Sequence, residues 1–447
     1  MTQTPHSKSI EHILDKTKKL GADTTEIFVQ DSSSISCSTR LKNLEHIEQA
    51  QNTSLGLRVI VGKKQAIVSS NNLDLNLLDK IIEKAVINAK ASPDDSDLAV
   101  TFKELFCNNM QELELYEENA LSPENLFSLA KEAEDAMLSV KGVTNSQGVE
   151  TGYSSTTQTL VTSTGFNATY ETSAYYVSAS AVAGKDSSMQ VDYDYHNSRF
   201  LDDLIKPKII GTNAGKRAVD KLNPKKISTN KMTVVFDPRV ARSIISALSS
   251  AINGAAIIRG ASFLKNKLHS QIMPTGLNLI DDPFIKRGLG SRPFDSEAIR
   301  GTKLDVVENG ILKSWLLDLR SAQKLKLPST GHALRSVGSL PNPAPSNLYL
   351  TNGCVSVADL ISDIKHGVYV TETMGHGANL VTGDYSQGAS GFLIENGKLT
   401  YPINEVTIAS NLLEMLMTIV PANDLAFRYG SINSPTLLIP SMTVAGS

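Results

Sequence analysis

The chain has 447 residues, 41% of them apolar and 20% charged, with a formal net charge of −3. That is too apolar for a disordered tail protein and long enough to bury a real core, in about two to four domains with two large ones fitting best. The charge sets up no global field for nucleic acid or anionic lipid, and no apolar run approaches the ~20 residues of a membrane span. The N-terminal stretch MTQTPHSKSIEHILDK lacks the apolar core of a signal peptide. Cys37, Cys107 and Cys354 are odd in number and far apart, so three free thiols in a reducing cytoplasm are expected.

Ile10, Ile13, Leu14, Thr17 and Leu20 recur at helical spacing, with Ser9 as a cap and Gly21 as a stop. TTEIFVQD and SISCSTRL alternate like two strands, and LGLRVIVG with QAIVSS forms a hairpin about Gly62-Lys63-Lys64. Asp74 caps a helix whose stripe is Leu77, Leu78, Ile81, Ile82, Ala85, Val86 and Ala89. A polar linker over 92–97 follows, and Ser122-Pro123-Glu124 starts the next helix. The Ser-, Thr-, Val- and Tyr-rich stretch from Val143 to Tyr195, broken at Gly165 and Gly184, predicts a meander of long antiparallel strands. An amphipathic helix near Leu201–Leu222 ends at Asn223-Pro224-Lys225-Lys226, the predicted boundary between a domain over 1–222 and one over 230–447.

Lys206, Lys208, Lys216, Arg217, Lys221, Lys225, Lys226 and Lys231 gather near that boundary. No aromatics interleave them, and Asp202, Asp203 and Asp220 sit nearby, so a solvated face explains them better than a nucleic-acid patch. The second half opens with a strand over Met232–Phe236 and a helix capped by Asp237, which is interrupted at Asn253-Gly254. Asn-Gly pairs in VVENGILKSW and FLIENGKLTY predict two-residue hairpins, and 341–345 is a stiff proline-rich connector. A helix near Ile408–Val420 and a strand near Thr436–Ile439 close the chain.

The stretch 365–410 is the most suggestive. Alternating runs Gly367–Glu372 and Gly391–Glu395 flank a glycine-dense loop that carries Gly375, His376, Gly377, Asn379, Gly383, Asp384, Tyr385 and Ser386. Glycines permit backbone that other residues avoid, and polar loops held between strands tend to carry function. These eight residues are the candidate peptide- or partner-binding site. Strand addition would suit such a surface, and the competing reading is tight strand crossing inside a barrel-like domain.

The segment GHGANLVTGDYSQGASGFLIENGKLTYPINEVTIASNLLEML resembles the C-terminal signature of the TldD/PmbA family, in its PmbA (TldE) branch. SLGLRVIVGKKQAIVSS, TQTLVTSTGFNATYETS and MTVAG extend the likeness over nearly the whole chain. The resemblance implies an α+β protein with an N-terminal helix and antiparallel-sheet domain. Its C-terminal domain would be β-rich and barrel-like, with flanking helices. It also implies a subunit of a hollow heterodimer that takes in unfolded or precursor peptide, the zinc lying in a TldD-like catalytic partner.

In the TldD branch a helix early in the C-terminal half bears H-E-x-x-x-H, two imidazoles for the metal and a glutamate to activate water. The comparable run here, Arg239 to Ser270, has no His before His269 and no Glu, and Asn253-Gly254 stands where ligands would be expected. No metal ligands and no catalytic residues are therefore assigned to this chain, although His332, His366 and His376 could in principle assemble from a distance. Asp384-Tyr385-Ser386-Gln387-Gly388 misses G-x-S-x-G at its first glycine. Ser262-Phe263-Leu264-Lys265 fits only the short S-x-x-K pattern, and Leu380 takes the third glycine of G-x-G-x-x-G. The expected function is thus the non-catalytic partner of a TldD-like zinc peptidase, able to form a homodimer when alone. An independent metallopeptidase with unrecognised ligands and a modulator binding DNA gyrase are the alternatives. Neither nucleic acid nor membrane is expected as a partner.

Overall fold

The computed structural model describes residues 5–375 and 377–446. In the first half, α1 (Ser7–Lys19) leads into β1 (Thr24–Arg40), β2 (Asn43–Val61) and β3 (Lys64–Ser70). Then come α2 (Leu75–Ala91), α3 (Pro123–Leu138), β4 (Val143–Thr162), β5 (Asn167–Ala183), β6 (Gln190–Ser198) and α4 (Pro207–Asp220). The strands form one antiparallel sheet in the order β3-β2-β1-β4-β5-β6.

Strand alternation gives this sheet two different apolar faces. On one, Ile27, Val29, Leu55 and Leu57 pack under α1 and α2, while Val149, Val177 and Ala179 pack under α3 and α4. Helices α3 and α4 touch closely enough that a Cβ on Gly211 would stand 1.8 Å from the Ala133 carbonyl oxygen. On the other face, Phe28, Leu160 and Phe166 meet Phe106, Phe294 and Ala298, which ties the sheet to the C-terminal half.

That half begins with β7 (Asn230–Phe236), α5 (Pro238–Ala251) and α6 (Gly254–Ile258). Short elements follow: β8 (Leu279–Asp281), β9 (Leu304–Glu308), β10 (Ile311–Leu312), α7 (Leu319–Leu325), β11 (Ala333–Leu334), β12 (Asn342–Pro343), β13 (Leu348–Leu350) and α8 (Val357–Ser362). Last are β14 (His366–Met374), β15 (Asp384–Glu395), β16 (Lys398–Asn411), α9 (Leu412–Thr418), β17 (Val420–Pro421), β18 (Ile432–Asn433) and β19 (Leu437–Ala445). The order β16-β15-β14-β7-β19 closes on itself because Thr407 of β16 pairs with Ala445 of β19. Closure leaves this five-stranded barrel without free edges. Its wall and helix α5 share one core, with Phe236, Val368, Leu393 and Ile408 meeting Ile244, Ile245 and Leu248. The protein is thus α+β, an antiparallel sheet with helices followed by a barrel with flanking helices.

Locally encoded features stand where the sequence puts them. Asp74, Ser122 and Asp237 cap their helices. Both Asn-Gly turns take left-handed backbone, at φ 50° and 82° for Asn309-Gly310 and 48° and 76° for Asn396-Gly397. The cap of α1 is His6, and Ser9 lies inside the helix. The two strands expected over 24–41 are one, because β2 and β4 pair with β1 through Ser32–Ser34. The helix expected from Ile408 begins only at Leu412, since β15 and β19 hold 407–409 in the barrel wall. All three cysteines are free, Cys37 and Cys107 buried and Cys354 exposed.

Buried ions join the two halves. Asp192 of β6 meets Arg239 of α5 at 2.8 Å and Lys221 at 3.0 Å, and Lys221 reaches Glu372 of β14 at 2.7 Å. Asp194 holds Arg217 at 2.7 Å and Arg428 at 2.5 Å. Lys225 lies over the Tyr401 ring and Lys226 pairs with Glu405. These cations of the boundary cluster are committed to intramolecular partners.

Candidate functional site

The glycine-rich segment is the tip of the β14–β15 hairpin, at one end of the barrel. Strand β14 runs to Met374 and β15 starts at Asp384, so much of the loop expected between Glu372 and Gly391 is strand. Gly375 and Gly383 take φ +93° and +84°, where a Cβ is strained. The tip is internally bonded. Asn379 Oδ1 accepts the N–H groups of Val381 and Thr382 at 3.0 and 3.4 Å, and the Gly383 N–H donates to Asn379 O at 2.7 Å. The Asn379 N–H donates to Asp384 O and that of Ser386 to Gly377 O, each at 2.8 Å. Bonds from outside also seat the tip: Phe263 N–H to Leu380 O at 2.7 Å, Leu412 N–H to Gly383 O at 2.6 Å and Asn411 Nδ2 to Thr382 O at 3.2 Å.

The candidate side chains divide into two groups. Asn379, Asp384 and Ser386 are exposed, as are the apolar Met374 and Val381, while Ala378 and Leu380 pack on the core. Tyr385 points into the core at 3% exposure, and burial pushes its hydroxyl pKa up. That hydroxyl donates to Gln387 Oε1 at 2.6 Å, and Gln387 Nε2 donates to Gly375 O at 3.1 Å, so Tyr385 braces the loop from inside. Gly377 leaves room for the same glutamine, whose Cδ would stand 2.2 Å from a Cβ there. His376 lies outside the described residues. Helix α9 and β19 border a groove of about 630 Å³ lined by Leu413, Met417, Lys231 and Met442.

The region compared with a zinc helix is differently built. Helix α5 stops at Ala251, and Asn253 caps the short α6. Its Oδ1 accepts from Ala255 and Ala256 N–H, and its Nδ2 donates to Pro343 O at 2.5 Å. His269 is exposed at φ 62°. His332 is buried with Nε2 3.0 Å from Asp281, and His366 is exposed at the start of β14. Among the described residues, no three His, Cys, Asp or Glu side chains group as a metal site would require.

Two buried polar clusters carry no local sequence signal. Asp281 accepts from His332, from the Ser346 hydroxyl and from the Ser346 N–H at 2.8 Å. Burial would raise its pKa, but these bonds outweigh burial and hold it low. Asp295, Glu297 and Asp318 lie buried near the contact with the first sheet, where Glu26 meets Arg58 at 2.8 Å and Arg335 at 3.0 Å.

Comparison with known proteins decides the family. The chain matches the PmbA/TldA metallopeptidase C-terminal domain over 229–446, the central domain over 116–222 and domain 1 over 25–89. A metalloprotease PmbA homolog of Haemophilus influenzae is 33% identical, covering 98% of this chain and 96% of the relative. This chain belongs to the PmbA/TldA metallopeptidase family, in its PmbA branch. Metalloprotease PmbA of Escherichia coli O157:H7 is 34% identical over 95% of this PmbA-family chain and 93% of its own. A candidate modulator of DNA gyrase from Bacteroides thetaiotaomicron superposes with TM-score 0.91 at 27% identity, covering 99% and 100% of the two chains. TldE from Thermococcus kodakarensis shares the fold at TM-score 0.86 and 22% identity, covering 98% and 100%.

Proposed function

We propose that this chain is the non-catalytic, TldE-type subunit of a two-chain zinc metallopeptidase acting on unfolded or precursor peptides in the cytoplasm. The zinc and the catalytic glutamate belong to a TldD-like partner. The observation that carries this reading is Asn253: where the related catalytic branch would place its ligand helix, this chain breaks the helix and commits the asparagine amide to capping α6 and bonding Pro343. The contribution of this chain is then a preformed surface at the barrel end, where Gly375, Gly377, Asn379, Gly383, Asp384 and Ser386 shape the β14–β15 tip for peptide or partner. Tyr385 supports that tip from the core. The division of labour proposed along the chain is a unit over 1–222 and a unit over 230–447, joined by the ion pairs of β6.

Metal analysis and peptidase assays on the purified chain, alone and mixed with a TldD-like partner, test the proposal. Alone it should hold no stoichiometric zinc and cleave no unfolded peptide, while the pair should do both. One tightly bound zinc per chain with chelator-sensitive cleavage by this chain alone would establish an independent peptidase instead.

A further inference from the structure

Between the end of β6 and the loops over 285–289 and 427–430 lies a pocket of about 240 Å³. Two ionisable side chains lining it are at least nine-tenths buried, Arg199 at 9% and His196 at 7% exposure. Arg199 has no carboxylate partner among the described residues. Its Nη1 donates to Ser173 O at 2.9 Å, Nη2 to Leu289 O at 2.6 Å and Nε to Gly288 O at 3.5 Å. A guanidinium has five N–H groups, so two of them have no partner among the described residues. Burial lowers its pKa to about 10, which still leaves it charged at neutral pH.

His196 Nδ1 accepts the Ile205 N–H at 3.1 Å. Burial, then the nearby Arg428 charge, lower the His196 pKa to about 4, so the ring is neutral. With Nδ1 acting as acceptor, the proton sits on Nε2, and no described residue accepts it. At the mouth, Lys286 and Arg287 share Glu114 at 2.6 and 2.9 Å, and Arg287 also holds Asp203 at 3.0 Å. Lys286 and Arg287 are thus matched by Glu114 and Asp203, and Arg428 by Asp194, so among the described residues Arg199 is the pocket's cation without a carboxylate partner.

We propose that this pocket binds a carboxylate, with the Arg199 guanidinium as counter-ion and His196 Nε2–H as a neutral donor. One uncompensated charge suits a monoanion, and a phosphate dianion would bring more negative charge than the site neutralises. Phe427, half-exposed and edge-on to Tyr349 at 5.0 Å, adds an apolar wall that a peptide C-terminus would use and a small free acid would not. This inference does not depend on the peptidase reading, because it concerns binding by the chain alone.

Titration calorimetry on the full chain without a partner tests it. The probes are N-acetyl-alanyl-phenylalanine, the same dipeptide as its C-terminal amide, sodium acetate and inorganic phosphate, all at one ionic strength. The acid dipeptide should bind at one saturable site, with the amide at least about tenfold weaker. Acetate binding as tightly as the dipeptide would support the carboxylate site and assign it to a small free acid. Lys286 is exposed, so Lys286→Glu should fold and weaken carboxylate binding by about tenfold through its reversed charge. His196→Gln keeps an acceptor for Ile205 and a donor for the pocket, so it should bind within about threefold of wild type; if it does not fold, Lys286→Glu decides. Equal binding of acid and amide, tighter binding of phosphate than of either carboxylate, or no binding of any probe would overturn the proposal.

Discussion

Glu297 is a buried acid among acids. Among the described residues its carboxyl accepts one hydrogen bond, from Leu319 N–H at 2.8 Å, whereas neighbouring Asp295 accepts three, from Glu297, Ile299 and Ala333. Burial, then the fields of Asp295 and Asp318, push the Glu297 pKa well above the carboxylate range. The folded state therefore holds a proton that the unfolded chain releases above about pH 4.3. The folded state binds more protons, so this group's contribution to stability falls as pH rises from the unfolded value towards the folded one. Glu297→Gln keeps an acceptor for Leu319 and removes the titration. Urea unfolding from pH 5 to pH 8 should show the variant gaining stability over wild type as pH rises. Parallel curves would mean that Glu297 is already ionised in the fold. None of this was legible in the sequence, because Asp295, Glu297 and Asp318 owe their chemistry to desolvation by segments distant in the chain. Asp237 and Asn396 were legible, because a cap and a left-handed turn are decided within a few residues.

At the scale of the element, the β14–β15 hairpin shows where sequence reading loses its footing. Glycine density marked an unusual backbone, and Gly375 and Gly383 do take positive φ. The start of β15 was not legible, because residues 384–389 are strand through pairing with β16, and β14 joins only at 388–390. Alternation also left the inward turn of Tyr385 unread, since Asp384 and Ser386 flank it with polarity. The geometry separates two glycine variants. A Cβ on Gly375 would meet nothing within 4 Å, so Gly375→Ala should cost only the left-handed strain, about 1–2 kcal/mol, and leave the chain folded. Gly383→Val adds crowding against Asn411 Nδ2, 3.0 Å from the new Cβ, and should lower the melting temperature further. If the tip contacts peptide or partner, Gly375→Ala should reduce peptidase activity of the reconstituted pair more than its stability loss explains. Activity falling only in step with melting temperature in both variants would make the tip architecture alone.

For the whole molecule, the question is what holds the first sheet on the barrel half. Net charge and composition said nothing of it, and the boundary lysines read as a solvated face, yet Lys221 is buried between Asp192 and Glu372. Another buried contact between the halves is Glu26, which takes Arg58 from its own sheet and Arg335 from the other half. Burial alone would raise the Glu26 pKa, but the two guanidinium charges outweigh it and hold the carboxylate below its ordinary range. A depressed acid contributes fully above its unfolded value, about pH 4.3, and loses that contribution as pH falls through the folded value. Glu26→Gln would leave two buried guanidinium groups facing a neutral amide. Breaking a buried pair in this way costs about 3–5 kcal/mol, so the variant should unfold at clearly lower urea at pH 7. Its deficit should shrink as pH drops below 4, where wild type protonates the same carboxyl and pays the same penalty. Replacing all three together, Glu26→Leu with Arg58→Met and Arg335→Met, should recover much of the loss at pH 7, because an apolar trio leaves no charge unpaired. A deficit of Glu26→Gln that persists unchanged at pH 3 would show that Glu26 matters here through its shape and not its charge.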